Sequence, residues 1–183
     1  MYRGQFDVVN GRMIAMGIKD YKSLISESSA ALRSGGFLQL QEWDFFIVDA
    51  QKQVIGTDCW FGRWCAALRQ SLAIRNASVN AAEGLDNMIR SNGTFHDIQQ
   101  QDVWMPVGPF LSEDTAEGRH LNLVGEFMRE NVKAFINGGK TLILGSGMNP
   151  EEYNKMEFNA TLEVQDENIP MYLRLNCVTA RKL

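Results

Sequence analysis

Apolar and polar positions along the 183-residue chain fall into short runs of two kinds, extended and helical. Phe6-Asp7-Val8-Val9-Asn10 carries apolar residues on both faces of an extended run. That pattern suits a central strand of a parallel sheet covered by helices, and so an α/β chain. Asp20 then stands where a helix N-cap belongs. Tyr21, Leu24, Ile25 and Leu32 recur at helical spacing until Gly35-Gly36 stops the pattern. Phe37-Leu38-Gln39-Leu40-Gln41 reads as a second strand ending at Glu42-Trp43-Asp44, which gives residues 6–41 the layout of a β-α-β unit. Residues 58–90 are helical in pattern, with Trp64, Leu68, Leu72 and Ile89 inward and Gly84 as the break between two helices. After Asn92-Gly93, residues 95–107 alternate loosely through Ile98, Val103 and Trp104, and Pro106-Val107-Gly108-Pro109 ends this third strand. Helical spacing returns over 121–136 through Leu123, Phe127, Val132 and Phe135. Asn149-Pro150-Glu151-Glu152 opens a last helix, with proline in its first turn and acids at its positive end. Residues 171–178 alternate like a closing strand.

The length predicts a single domain over residues 1–183, with enough interior for a core. Eighteen basic against 22 acidic side chains leave a net charge of −4, without the basic excess of a phosphate-backbone binder, so no nucleic-acid partner is expected. No uncharged apolar run is long enough to cross a bilayer and the N-terminus has no apolar leader core. A cytoplasmic location is therefore expected, a nuclear one staying open, with no membrane partner. Cys59, Cys65 and Cys177 are odd in number and form no C-x-x-C, which reads as buried thiols.

Several motifs fail on inspection. Gly139-Lys140-Thr141 lacks the earlier glycine of a P-loop, Ala134 standing in its place. The apolar run Thr141-Leu142-Ile143-Leu144 leads into Gly145-Ser146-Gly147, with Asp166 about twenty residues on, as in a dinucleotide fold. Pro150 occupies the third small position, and a loop between helices is expected instead. Ser146 is no nucleophile elbow, because Leu144 and Met148 replace the glycines. His96 and His120 have no ligand spacing, so no metal is expected. Trp60 and Trp64, at i and i+4, read as packing. Glu42-Trp43-Asp44 and Asn10-Gly11-Arg12-Met13 sit where ligands bind in open parallel sheets, beyond the strand ends. Capping by Asp44, pairing of Glu42 with Arg12 and core filling by Met13 and Trp43 stand as alternatives of equal weight.

Three segments, Phe6-Asp7-Val8-Val9-Asn10-Gly11-Arg12-Met13, Ile18-Lys19-Asp20-Tyr21 and Ala31-Leu32-Arg33-Ser34-Gly35-Gly36-Phe37-Leu38-Gln39-Leu40-Gln41-Glu42, together resemble the middle of the S-adenosylmethionine-dependent class I methyltransferases. The likeness is to the fungal branch associated with secondary metabolism. There the segment runs as an aspartate-bearing strand, a small-residue-Arg turn, I-K-D-aromatic, and L-K-P-G-G-aromatic-aliphatic-E-aliphatic-Q-E. Met105-Pro106-Val107-Gly108-Pro109 and Asn149-Pro150-Glu151-Glu152 continue it; Ser34 and Gln39 depart from it. Nothing upstream of Phe6 corresponds to the family's opening strand, G-x-G-x-G loop and ribose-binding acid.

The resemblance therefore implies a partial Rossmann-like methyltransferase fold, a mixed sheet with helices on both faces and the N-terminal strands missing, equivalent to the family's C-terminal portion. It further implies S-adenosylmethionine as cofactor and a small-molecule acceptor. Asn10, Gly11, Arg12 and Met13 would border the cofactor, Trp43 and Asp44 would face the acceptor, and Glu42 would be the base. A truncated, non-catalytic or cofactor-independent module for binding or regulation is the alternative. Either way the strand at 6–10 becomes an edge, and self-association or a complementary subunit is expected there.

Overall fold

The computed structural model describes residues 2–183. It contains β1 (Phe6–Arg12), α1 (Tyr21–Ala31), β2 (Leu32–Val48), α2 (Trp60–Ile74), α3 (Ala81–Asn92), β3 (Phe95–Pro106), α4 (Ala116–Gly138), α5 (Lys140–Leu144), α6 (Pro150–Gln165) and β4 (Tyr172–Lys182). Single 3-10 turns lie at Ala15–Gly17 and Gly56–Asp58. The strands form a four-stranded mixed sheet in the order β1-β2-β4-β3, with β1 parallel to β2. The chain divides into two compact units. One takes residues up to Asp44, Arg75–Val103 and Leu175–Leu183; the other takes Phe45–Ile74 and Trp104–Arg174.

In the first unit, α1 starts as the sequence predicts: Asp20 caps it by accepting from the Ser23 N–H at 3.0 Å. Its Tyr21 and Ile25 join Leu38 and Leu40 of β2, Leu85 and Ile89 of α3, and Val178 and Ala180 of β4 in one core. The glycine pair does not end the helix. The chain turns extended at Leu32, and Gly35, at φ +74°, lies within a bulge of β2 where the pairing with β1 jumps from Phe6–Leu32 to Val8–Phe37. β1 is longer than expected and is an edge strand, with Phe6 and Val8 exposed at 42% and 55%. The break after α2 falls at Asn76, in the left-handed region at φ +58°, and not at Gly84, which lies inside α3. Asparagine tolerates that backbone because its short polar side chain bonds locally.

In the second unit, α2 packs on α5 and α6, and α4 packs on α6. Phe61, Trp64 and Tyr153 are fully buried, with Trp64 meeting the Phe135 ring edge-on at 5.2 Å. α6 begins as its sequence directs, Asn149 accepting from the Glu151 and Glu152 N–H groups with Pro150 in the first turn. The apolar run at 141–144 lies in the short helix α5, so the dinucleotide-fold pattern has no strand beneath it.

Cys59 and Cys65 are buried, and Cys177 is partly covered. The Cys59 sulfur accepts from the Gly62 N–H at 3.2 Å, and burial pushes its thiol up to about 11 from a usual 9.0. A pKa raised by folding contributes stability that is complete below the unfolded value and is lost as pH rises toward the folded one. Urea unfolding should therefore show a loss of about 2 kcal/mol between pH 9 and 11 that Cys59→Ala lacks. Equal slopes for the two proteins would sink this assignment.

Candidate functional site

The end of β1 is where the expected site residues collect. Gly11 pairs with Leu40 across the β1–β2 ladder, and a Cβ there would lie 2.8 Å from the Leu40 side chain and 3.1 Å from that of Ile14. An alanine there would have to shift the ends of the Leu40 and Ile14 side chains, which pack over this position. Met13 leaves the strand through the left-handed region at φ +53°, its N–H still donating to Gln41 O at 2.8 Å, and Ile14 returns to right-handed backbone. This left-then-right sequence aims successive N–H groups to one side and makes a small anion-binding nest.

The anion is built in. Glu42, 2% exposed, accepts from the Ile14 N–H at 3.0 Å through Oε1 and from the Ala15 N–H at 3.2 Å through Oε2. The Tyr21 hydroxyl donates to Oε1 at 2.6 Å. Burial, reinforced by the hydrogen bond to Glu42 and its charge, holds the Tyr21 phenol far above its ordinary range, so it remains a donor. The Lys19-Asp20-Tyr21 and Gln41-Glu42 segments thus meet on the turn that follows β1.

Asn10, Arg12 and Met13 point away from this anchor. All three are exposed, and among the described residues the Asn10 and Arg12 side chains make no hydrogen bond or ion pair. Arg12 is close enough to Cys177 for its charge to oppose the burial that raises that thiol. Trp43 and Asp44 are buried in β2. The strand does not end at Glu42-Trp43-Asp44 but continues to Val48 through Phe45, a buried residue at φ +60°. The structure therefore brings Glu42 to the Asn10–Met13 turn but places the triplet inside the strand, not beyond it. Tyr21 and the two backbone donors were missed by sequence reasoning: the aromatic after Asp20 reads as core, which its ring is, and nothing at that position marks its hydroxyl.

The free groups at the turn are an amide, a guanidinium and an apolar thioether. They suit one side of a ligand that combines hydrogen-bonding and apolar parts, as S-adenosylmethionine does. The nest donors are already taken by Glu42 and are not available to a ligand.

No protein-family model matches the chain. It is 31% identical over 185 residues to the secondary metabolism regulator laeA of Coprinopsis cinerea, an alignment covering 98% of this chain and 44% of that protein. It is 25% identical over 184 residues to methyltransferase pytC of Aspergillus terreus, covering 98% and 54%. The chain spans about half the length of these curated relatives. Among solved structures, phosphoethanolamine N-methyltransferase 2 of Haemonchus contortus in complex with S-adenosyl-L-methionine superposes with a TM-score of 0.45 and 17% identity, over 98% of this chain and 34% of that one. On its sequence the chain is similar to class I methyltransferase-like proteins linked to fungal secondary metabolism, and it spans about half the length of the relatives it matches.

Proposed function

We propose that the chain takes part in S-adenosylmethionine-dependent methyl transfer to a small-molecule acceptor of the secondary-metabolite type. The observation that carries this reading is the convergence of the resembling segments on one turn: Tyr21 and Glu42 fix it, and the side chains of Asn10, Arg12 and Met13 are left exposed along its rim. The relative named a methyltransferase, aligned over almost the whole chain, supports it. When bound, the cofactor supplies an electrophilic methyl group, and the protein's task is chiefly to position it and exclude water. Arg12 would pair with the carboxylate of the cofactor's amino-acid part, Asn10 would hydrogen-bond a polar group, and Met13 would cover apolar surface. Both oxygens of Glu42 are engaged by donors, so its part here is to hold the turn; service as a base would require displacing Tyr21. Trp43 and Asp44 are assigned to the acceptor side on the resemblance alone.

A second reading, a binding or regulatory module without a cofactor, is favoured by the relative named a regulator and by a rim that supplies one side of a cofactor site. In both readings the β1 edge, with Phe6 and Val8 exposed, is assigned to pairing with a second copy or a complementary subunit. Both place the chain in the cytoplasm, a nuclear location staying open; no helix among the described residues is long and apolar enough to cross a membrane.

Calorimetric titration with S-adenosylmethionine and S-adenosylhomocysteine, run beside light scattering, separates them. Methyl transfer predicts micromolar binding that Arg12→Ala weakens by about tenfold, the worth of one charge-assisted pair. No binding by a chain that is folded by circular dichroism overturns it and leaves the second reading.

A further inference from the structure

The tryptophan pair of α2 splits in its roles. Trp64 is core, whereas Trp60, one turn earlier, is half-buried and lines a groove between α2 and α6 with a cavity volume of about 450 Å³. Two cations converge on its indole. The Arg63 guanidinium carbon lies 4.6 Å from the ring centre and the Lys155 Nζ 5.8 Å from it. Arg63 is held in place by donating from Nε to Thr57 O at 2.8 Å, which leaves its other N–H groups for a ligand. Among the described residues neither cation is paired with a carboxylate. The groove does contain one acid, Glu152, which also lines an adjoining hollow of about 370 Å³.

Two unpaired cations on one aromatic ring are unexpected in a chain of net charge −4, where carboxylates are in excess. Of the other walls, Ala66 and Ala67 leave the space, Met148 and Met156 give it an apolar side, and Thr57 and Gln70 add polar edges. We propose that this groove binds a small organic anion, its carboxylate or phosphate held between Arg63 and Lys155 and its apolar body against Trp60 and the two methionines. The cavity lies within the size range of small-ligand sites. The acidic net charge disfavours an extended polyanion. The groove lies wholly in the second unit and shares no residue with the Asn10–Met13 turn or Glu42, so the inference does not depend on the methyl-transfer reading.

Titration of the full chain with phenyl phosphate, followed by calorimetry and tryptophan fluorescence, tests it. Inorganic phosphate and benzylammonium serve as comparison probes. Phenyl phosphate is expected to bind saturably, at least about tenfold more tightly than inorganic phosphate, which lacks the apolar body. Benzylammonium should not bind. The double variant Arg63→Gln/Lys155→Gln should lose about tenfold or more, and Trp60→Phe should lose the fluorescence response. Arg63 and Lys155 are exposed, so the variants should keep the parent melting temperature. The proposal is overturned by undiminished affinity in the double variant, by equal binding of benzylammonium, or by no binding up to about 10 mM phenyl phosphate, where only a few kcal/mol would be involved. It is also overturned if an acidic peptide or an RNA oligonucleotide binds through Arg63 and Lys155 while phenyl phosphate does not.

Discussion

Glu42→Ala is expected to lower the free energy of unfolding by about 3–5 kcal/mol, the range for a buried group whose partners are left uncompensated. The carboxylate is buried and accepts three hydrogen bonds, from the Ile14 and Ala15 N–H groups and from the Tyr21 hydroxyl. Truncation leaves those donors without an acceptor, and each orphaned buried donor costs about 1–3 kcal/mol. Glu42→Gln should cost about 1–3 kcal/mol, because its oxygen still accepts while its amide nitrogen sets a donor against the Ala15 N–H. Tyr21→Phe removes a donor and leaves the carboxylate with both backbone partners, so a loss of about 1 kcal/mol is expected. Urea denaturation of the four proteins should rank them in that order. A Glu42→Ala protein as stable as the parent would mean that the nest does not hold the turn.

What the sequence shows of this arrangement depends on how local each cause is. α1 and α6 are legible because an N-cap residue, a helical stripe and, in α6, a first-turn proline lie within a few positions of one another. β2 is legible only as far as it alternates. From Glu42 through Phe45 it is buried at every position, and two carboxylates there look like the polar end of a strand. The continuation through Phe45 depends on a left-handed backbone conformation that no glycine announces. The strand ends put Glu42 beside Arg12 and Met13. Its role as the nest's anion rests on contacts 27 and 28 residues away, which no local pattern records. The spacing of α4 is visible too, and Val132 and Phe135 face inward in its second half, but the inward face of its first half is not legible. Leu123 and Phe127 are exposed, the latter at 70%, while Gly118, Asn122 and Gly125 are buried. The reason is steric and polar at once. The chain at 108–112 crosses so near that a Cβ on Gly118 or Gly125 would meet the Ser112 or Gly108 carbonyl oxygen, and Asn122 bonds both the N–H and the C=O of Leu111. A helix approached this closely by backbone carries small and polar residues where hydrophobic ones are expected.

The same geometry sets apart two glycines that helix propensity treats alike. Gly84 lies inside α3 with only Met88 Cε, at 3.8 Å, near the position of an added Cβ, so Gly84→Ala should stabilise by about 0.5–1 kcal/mol. Gly62 lies in the first turns of α2, where propensity alone predicts the same gain. There an added Cβ would stand 1.8 Å from the Gly56 carbonyl oxygen and 3.0 Å from Cys59 Sγ. The first contact is with backbone, which no rotamer change relieves, and the turn carrying it is packed against the start of the helix, where the Gly62 N–H is bonded to Cys59. Gly62→Ala must therefore push the Gly56–Asp58 turn off α2, breaking that bond and opening the buried surface around Phe61. A loss of at least about 4 kcal/mol is expected, the range reserved for overpacking that the backbone cannot absorb. Thermal and urea unfolding of the two variants should move in opposite directions. If Gly62→Ala instead gained stability alongside Gly84→Ala, the close approach of the turn to the helix would be wrong.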